Sequence, residues 1–353
     1  MKKSPKRFTK KEFFLLLFSI AFSLLLAEVI LRVVMIPETK RLAVYDKDLG
    51  WRGEPDGEGV YIRRQDNIRT VFQYNEHGFR DDPFPTPKDS ALRIVFAGDS
   101  FVEALEVDYE NTFQETVERR LQASIDEEAA VVVLASQGYS TAQALLAVRK
   151  YRARIEPDVI LLIFHTANDF ADNTRAKFAY LDDAGTLQFT PNQDSWLTIK
   201  YLTLQRWFYQ NSFLVFRVKN ALESFKVLKV RDTARKRSPK SKDRTYRKKI
   251  TTHLLNAMKT DAQRQETPFG VVILPGKGEL AKNKTENPQI VAQFCEDHQI
   301  PCLDLWPVLA PHHFFEHDGH INKPGHAVVA QAIYDFLLAE FEPVRQHEPP
   351  PER

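Results

Sequence analysis

From Phe13 to Ala27 the chain runs FFLLLFSIAFSLLLA without a charge, and it stays mostly apolar to Ile36 before Pro37 breaks it. An apolar run with no polar face predicts a helix buried on all sides, and the 24 residues 13–36 would reach about 36 Å against a hydrocarbon core of about 30 Å. A transmembrane helix over 12–36 follows. No small-x-small pair ends the run, since Leu25 stands two before Ala27, so the segment reads as a retained anchor rather than a cleaved signal peptide. Glu28 and Arg32 interrupt it four residues apart, on one helix face where they can pair.

Beyond the span the pattern changes twice. Residues 38–90 are rich in Gly, Pro and charge, with short alternating pieces, VYIRR and TVFQY, that predict a small antiparallel appendage. After it, LRIVFAG at 92–98, AAVVVLA at 129–135, DVILLIF at 158–164, FGVVIL at 269–274 and PCLDLW at 301–306 are unbroken apolar runs of strand length, the signature of strands buried on both faces. Helical stretches fall between and after them at 111–124, 141–154, about 245–265, 287–299 and 323–341. Strand and helix in alternation predict right-handed crossovers and a three-layer α/β/α sandwich, flavodoxin-like, around a parallel five-stranded sheet spanning 91–342.

One crossover is too long. Nearly a hundred residues separate the third strand from the fourth, where about a dozen suffice, so 170–267 is an insertion. Its first part, WLTIKYLTLQRWFYQNSFLVFRVKNALESF, spaces Trp196, Tyr201, Trp207, Phe208, Phe216 and Phe225 roughly as a helix does. A lid or a membrane-facing helix would look the same, but plain core packing is the expectation.

Charge refines this picture. The chain has 353 residues with 49 Lys+Arg and 47 Asp+Glu, a net +2. Residues 1–11 hold six Lys/Arg and 226–249 hold twelve against two Asp, which leaves −14 elsewhere. Positive charge confined to two short runs argues against a nucleic-acid partner. The basic residues before the span keep the N-terminus in the cytoplasm and put everything after it outside. The run 226–249 reads as a solvated linker, with attraction to anionic lipid or an acidic envelope polymer as its functional rival, and 343–353 as a disordered tail. Cys295 and Cys302 match no zinc spacing, and an exterior compartment permits a bridge between them or two buried thiols.

In open α/β sheets the working residues sit just past the carboxyl ends of strands. After the first strand comes Gly98-Asp99-Ser100, after the second Gly138-Tyr139-Ser140-Thr141, after the third Asn168-Asp169, and after the fifth His317-Asp318-Gly319-His320-Ile321-Asn322 followed by Pro324-Gly325-His326. A serine at a strand-to-helix turn, a glycine, an amide, and a histidine with a carboxylate two residues before it are the parts of an acyl-transfer site. His312, His313, His317, His320 and His326 crowd into fifteen residues without a regular metal spacing, so no metal is expected. Gly276-Lys277-Gly278 lacks the flanks of a phosphate loop and reads as a turn, and no cofactor is implied.

These blocks in this order resemble the SGNH (GDSL-like) hydrolases, and in particular their membrane-anchored members. The resemblance covers 92–169 and 268–340, and Tyr74-Asn75-Glu76-His77-Gly78-Phe79-Arg80-Asp81 is similar to the segment that precedes the serine block in the anchored members. It implies an SGNH hydrolase fold with Ser100 as nucleophile and His320 as general base. The oxyanion hole would be formed by the backbone N–H groups of Ser100 and Gly138 and the side-chain amide of Asn168. The chain departs from the pattern at Val133 and Ala135 in the second block, at Ala167 before Asn168, and at His317, where the commonest last block has its aspartate. Asp318 is then the orienting carboxylate, and its Asp-x-His spacing is similar to that of polysaccharide O-acetyltransferases. The implied function is an anchored extracytoplasmic esterase acting on an acyl ester, with an O-acyltransferase on an envelope polysaccharide as the alternative. A non-catalytic envelope polymer-binding protein is the reading from another class. The acylated polymer or lipid it acts on is not legible, because the pocket-lining loops carry no pattern.

Overall fold

The computed structural model describes residues 9–34, 43–84, 92–125, 128–175, 178–190, 196–215, 217–218 and 243–346. The first eight residues, Phe216 and Phe225 of the aromatic stretch, residues 226–242 of the basic run and the tail from 347 lie outside them. Glu342–Arg345, at the start of the segment expected to be a disordered tail, instead forms a short helix that buries Val344. The chain divides into two compact units: 1–40 with 194–237, and 41–193 with 238–353.

In the first unit α1, Lys10–Val34, has no buried residue, and it is the single described helix long and apolar enough to cross a membrane. A second helix of this unit, α6, Trp196–Asn211, is the aromatic-rich stretch of the insertion. The expectation of core packing there is overturned. Leu197, Tyr201, Leu204, Trp207 and Phe208 are 45–63% exposed.

In the second unit two antiparallel hairpins come first, β1 Ala43–Asp46 with β2 Gly50–Gly53, and β3 Glu58–Arg63 with β4 Ile68–Gln73. The β3 and β4 strands are the VYIRR and TVFQY pieces. Then β5 Leu92–Gly98, β6 Ala129–Ala135, β7 Val159–His165, β10 Phe269–Leu274 and β11 Cys302–Asp304 form one parallel sheet in the order β11-β10-β7-β5-β6. Taken as sheet strands one to five, that order is 2-1-3-4-5, the flavodoxin-like arrangement. β11 is shorter than the run 301–306 suggests, because at its end Asp304 folds back to accept from the backbone N–H of Trp306.

The pleat explains why these runs are apolar throughout. Ile94 and Phe96 face a layer holding α3 Phe113–Ser124 and α10 Lys323–Glu340, through Val117, Leu121, Val329 and Ile333. Val95 and Ala97 face the opposite layer, packed by Leu145 and Val148 of α4 Thr141–Ile155, Leu255 and Met258 of α7 Arg244–Gln263, and Phe294 of α9 Glu286–Asp297. The short helices α2 Ser100–Glu103, α5 Asp169–Arg175 and α8 Lys277–Ala281 begin just past the ends of β5, β7 and β10. The hairpin β8 Ala179–Leu181 with β9 Leu187–Phe189 belongs to the insertion and packs with Ile250 and Leu254 of α7. Cys295 and Cys302 are brought together as free thiols, close enough for one to hydrogen-bond the other, and both are shielded from solvent at least in part.

Candidate active site

The serine is placed by a close approach of helix to strand. A Cβ on Gly98 would lie 2.5 Å from Val102 Cγ2, so glycine is what lets α2 fold back onto the end of β5. Asp99 caps that turn, its Oδ1 accepting from the Phe101 N–H at 3.0 Å. Ser100 is thereby left half-buried at the mouth of the sheet.

Its partner arrives on the loop before α10. Asn322 caps α10 through the Gly325 N–H and donates its own amide to the carbonyls of His312 and Phe314, which stiffens the loop. His320 Nε2 then stands 2.8 Å from Ser100 Oγ, and Nδ1 stands 2.5 Å from Asp318 Oδ1. The same Asp318 oxygen accepts from the backbone N–H of His320 at 2.9 Å, so the two-residue spacing lets one carboxylate orient both ring and backbone. A one-residue shift to His317 would not do this. The His317 side chain is exposed, and only its backbone is used, the N–H by Asp66 and the carbonyl by Arg63.

A second carboxylate was not legible in the sequence. Glu106, buried in the loop after α2, lies 3.3 Å from His320 Nδ1. Burial by itself would lower the imidazole pKa, but Glu106 first and Asp318 next outweigh it and push His320 up to about 9. Asp318 moves the other way. Burial raises it, yet the hydrogen bond and charge of His320, with Arg63 behind them, hold it down at about 2. Arg63 Nη1 reaches Asp318 Oδ2 at 2.5 Å, so the β3–β4 hairpin supplies a countercharge from outside the sheet.

The segment 74–81 turns out to be the brace for this loop. Tyr74 OH donates to buried Glu103 at 2.8 Å, and Glu103 also accepts from the Gln137 N–H at 2.7 Å, tying the serine helix to the turn after β6. Arg80, almost wholly buried, donates to the carbonyls of Glu103, Ala104 and Val107, which fixes the loop carrying Glu106. Asp81 accepts from the Val133 N–H at 2.9 Å on the edge strand β6.

Ser100, Asn168 and His320 line one open cavity of about 570 Å³, with Phe101, His165 and Lys277 among its walls. Asn168 Nδ2 donates to Asp99 Oδ2 at 2.8 Å, which leaves the second amide hydrogen uncommitted. Gly138 has φ +76°, a left-handed conformation suited to glycine, but it does not line that cavity. Among the described residues neither the Ser100 nor the Gly138 N–H has a hydrogen-bond acceptor. His165, at the end of β7, stacks on Phe101 at 3.8 Å, and burial keeps it neutral with a pKa lowered to about 3. His326 is structural: its Nδ1 accepts from the Phe113 N–H at 3.0 Å.

Of the crowded histidines, His312 and His313 lie side by side with ring centroids 4.1 Å apart. The group of metal-ligand type among the described residues is instead Glu106, Asp318 and His320, whose donor atoms lie within 4.8 Å of one another. Arg63 pairs with the outer oxygen of Asp318 and Nε2 is turned to Ser100, while buried Glu106 Oε1 has no hydrogen-bond partner among the described residues.

No protein-family model matches the chain, and no match is found among curated proteins. Solved structures do resemble it. A GDSL-like lipase from Bacteroides thetaiotaomicron is 11% identical with a TM-score of 0.40, over 71% of this chain and 90% of its own. A psychrotrophic esterase, EstA, from a Pseudoalteromonas species is 12% identical with a TM-score of 0.39, over 70% and 97%. A lipase/acylhydrolase from Enterococcus faecalis is 16% identical with a TM-score of 0.35, over 71% and 98%. Likeness at this level assigns neither a family nor an activity.

Proposed function

We propose that this chain is a membrane-anchored, extracytoplasmic serine esterase of the SGNH type that cleaves an acyl ester through Ser100, His320 and Asp318. The observation that carries the reading is the unbroken chain from Ser100 Oγ through the His320 ring to Asp318, on the floor of a cavity that Asn168 also lines. Ser100 Oγ attacks the ester carbonyl as its proton passes to His320 Nε2, and the imidazolium is held by Asp318. The N–H groups of Ser100 and Gly138 and the free amide hydrogen of Asn168 would bind the tetrahedral oxyanion. One lost donor costs about 3 kcal/mol of barrier in such sites. Collapse breaks the bond to the leaving alcohol, which takes the proton from His320. Water then repeats the cycle on the acyl-Ser100 intermediate and releases the acid.

The anchor is α1, and the basic residues ahead of it orient the remainder outward. The test is direct. The full chain should hydrolyse an aryl acetate and take a fluorophosphonate label, and Ser100→Ala should lose both. Retained turnover in that variant overturns the esterase. Acyl transfer to an envelope polysaccharide in preference to water would replace hydrolysis with the acyltransferase alternative.

A further inference from the structure

A carboxylate inside an apolar span demands partners, and Glu28 of α1 has them. Its Oε2 accepts from the Ser212 hydroxyl at 2.8 Å and from the Leu214 N–H at 2.9 Å, and its Oε1 accepts from the Phe213 N–H at 3.0 Å. Arg32, one turn further on, pairs with Glu28, donates to the Asn211 carbonyl and lies over the Phe213 ring. The end of α6 is therefore clamped to α1 by a set of charge-assisted hydrogen bonds. Seventeen residues separate Glu28 from Lys11, a helical rise of about 25 Å, so the clamp sits near the far boundary of a hydrocarbon core of about 30 Å.

From that depth α6 presents Leu197, Tyr201, Leu204 and Phe208, spaced i, i+4, i+7 and i+11, with Trp207 beside them, all solvent-exposed. The exposed Leu, Tyr, Trp and Phe, on a helix that also carries Lys200 and Arg206, are the residue types enriched where a helix meets headgroups and upper acyl chains. Continuity supplies the occupant, since α1, to which α6 is clamped, is itself exposed and apolar along its length. We infer that α6 lies in the outer headgroup and upper acyl layer of the bilayer that α1 crosses, its Leu197-to-Phe208 stripe in contact with lipid. The inference rests on the anchor reading. It makes the insertion a second membrane attachment, beside the anchor.

The full chain, reconstituted in phosphatidylcholine vesicles with bromine on the upper acyl chains, tests this by tryptophan quenching against unbrominated vesicles. In a Trp196→Phe background, which leaves Trp207 the one tryptophan of α6, the chain should float with the vesicles through alkaline carbonate and show bromine-dependent quenching, and adding Trp207→Phe should abolish most of that quenching. Turnover of a soluble ester by Trp207→Phe should be unchanged, which excludes misfolding as the cause. Flotation with equal quenching in both proteins, or none in either, overturns the inference while leaving the anchor intact. Cross-linking of α6 to a second copy without quenching overturns it also. Failure to float overturns the anchor and the inference with it.

Discussion

Glu106 Oε1 and His320 Nδ1 stand 3.3 Å apart, on the ring edge that Asp318 already occupies at 2.5 Å. One N–H cannot serve two carboxylates equally, so Asp318 takes the hydrogen bond and Glu106 acts through its charge. With a neutral ring, Glu106, Asp318, Arg63 and the Asp66 that pairs with Arg63 at 3.4 Å sum to −2, and a proton on His320 halves it. Asp99 adds a further negative neighbour, while His165 and His326, both kept neutral by burial, add none.

The first prediction is a pH profile. In the proposed mechanism the base is the neutral imidazole, so kcat/KM should rise along an acid limb with its midpoint near 9. Glu106→Gln removes the largest of the influences that raise that value, and the limb should move to lower pH while Glu106→Asp restores part of it. An unmoved limb would mean that Glu106 does not govern His320. The midpoint belongs to the coupled group rather than to one residue.

The same cluster predicts a stability difference with a definite sign. The folded pKa of His320 is raised, from 6.5 to about 9, so its stabilising contribution is complete below 6.5 and is lost as pH rises through 9. The Tm advantage of wild type over His320→Asn should therefore be largest below pH 6.5 and shrink toward pH 9. An advantage that grows over that interval contradicts the assignment.

The sheet, Ser100, Asn168 and His320 were legible because apolar runs of strand length locate strand ends, and strand ends locate chemistry. Asp318 was legible as the carboxylate nearest His320. Glu106, Glu103 and Arg63 were not, since they lie in a loop, a four-residue helix and a hairpin strand, where nothing local marks them, and meet their partners across 29 to 255 residues of chain. Their signal lay in the 74–81 segment, whose Arg80 and Tyr74 turn out to hold the 103–107 loop in place. The exposed stripe of α6 was misjudged for a related reason: helical spacing identifies an apolar face but not the medium that covers it.

Arg80 sets the third prediction. Arg80→Leu strips three buried carbonyls of their donor, and unmet buried polar groups cost about 1–3 kcal/mol each in unfavourable cases. A loss of about 3 kcal/mol or more in urea unfolding is expected. A loss under about 1 kcal/mol would show that water replaces the guanidinium there.

The thiols report the compartment. Cys295 and Cys302 lie within hydrogen-bond reach and are free, and their contact together with burial raises the Cys302 pKa, so it is not a reactive thiolate. If the domain is exported to an oxidising space, protein taken from membranes and then denatured should resist alkylation until reduced, and cytoplasmically expressed protein, denatured likewise, should not. Equal alkylation of both preparations counts against export.

The last prediction separates the two residues that compete for the orienting role. Asp318 Oδ1 holds both the ring Nδ1 and the backbone N–H of His320, while His317 contributes only its main chain, to Asp66 and Arg63. Asp318→Asn can present an N–H where an acceptor is needed and so favours the wrong tautomer. That change is expected to cost roughly 10³–10⁴ in kcat, with KM little altered. His317→Ala keeps both backbone contacts and should stay within about threefold of wild type. Arg63→Met falls between them, because Asp318 loses its countercharge but the guanidinium is partly exposed and its pairing is weakened by water, for a loss of roughly tenfold. Comparable losses from Asp318→Asn and His317→Ala would point to a loop that folds as a unit. In that event Asp318 would lose its separate role as the carboxylate that orients His320.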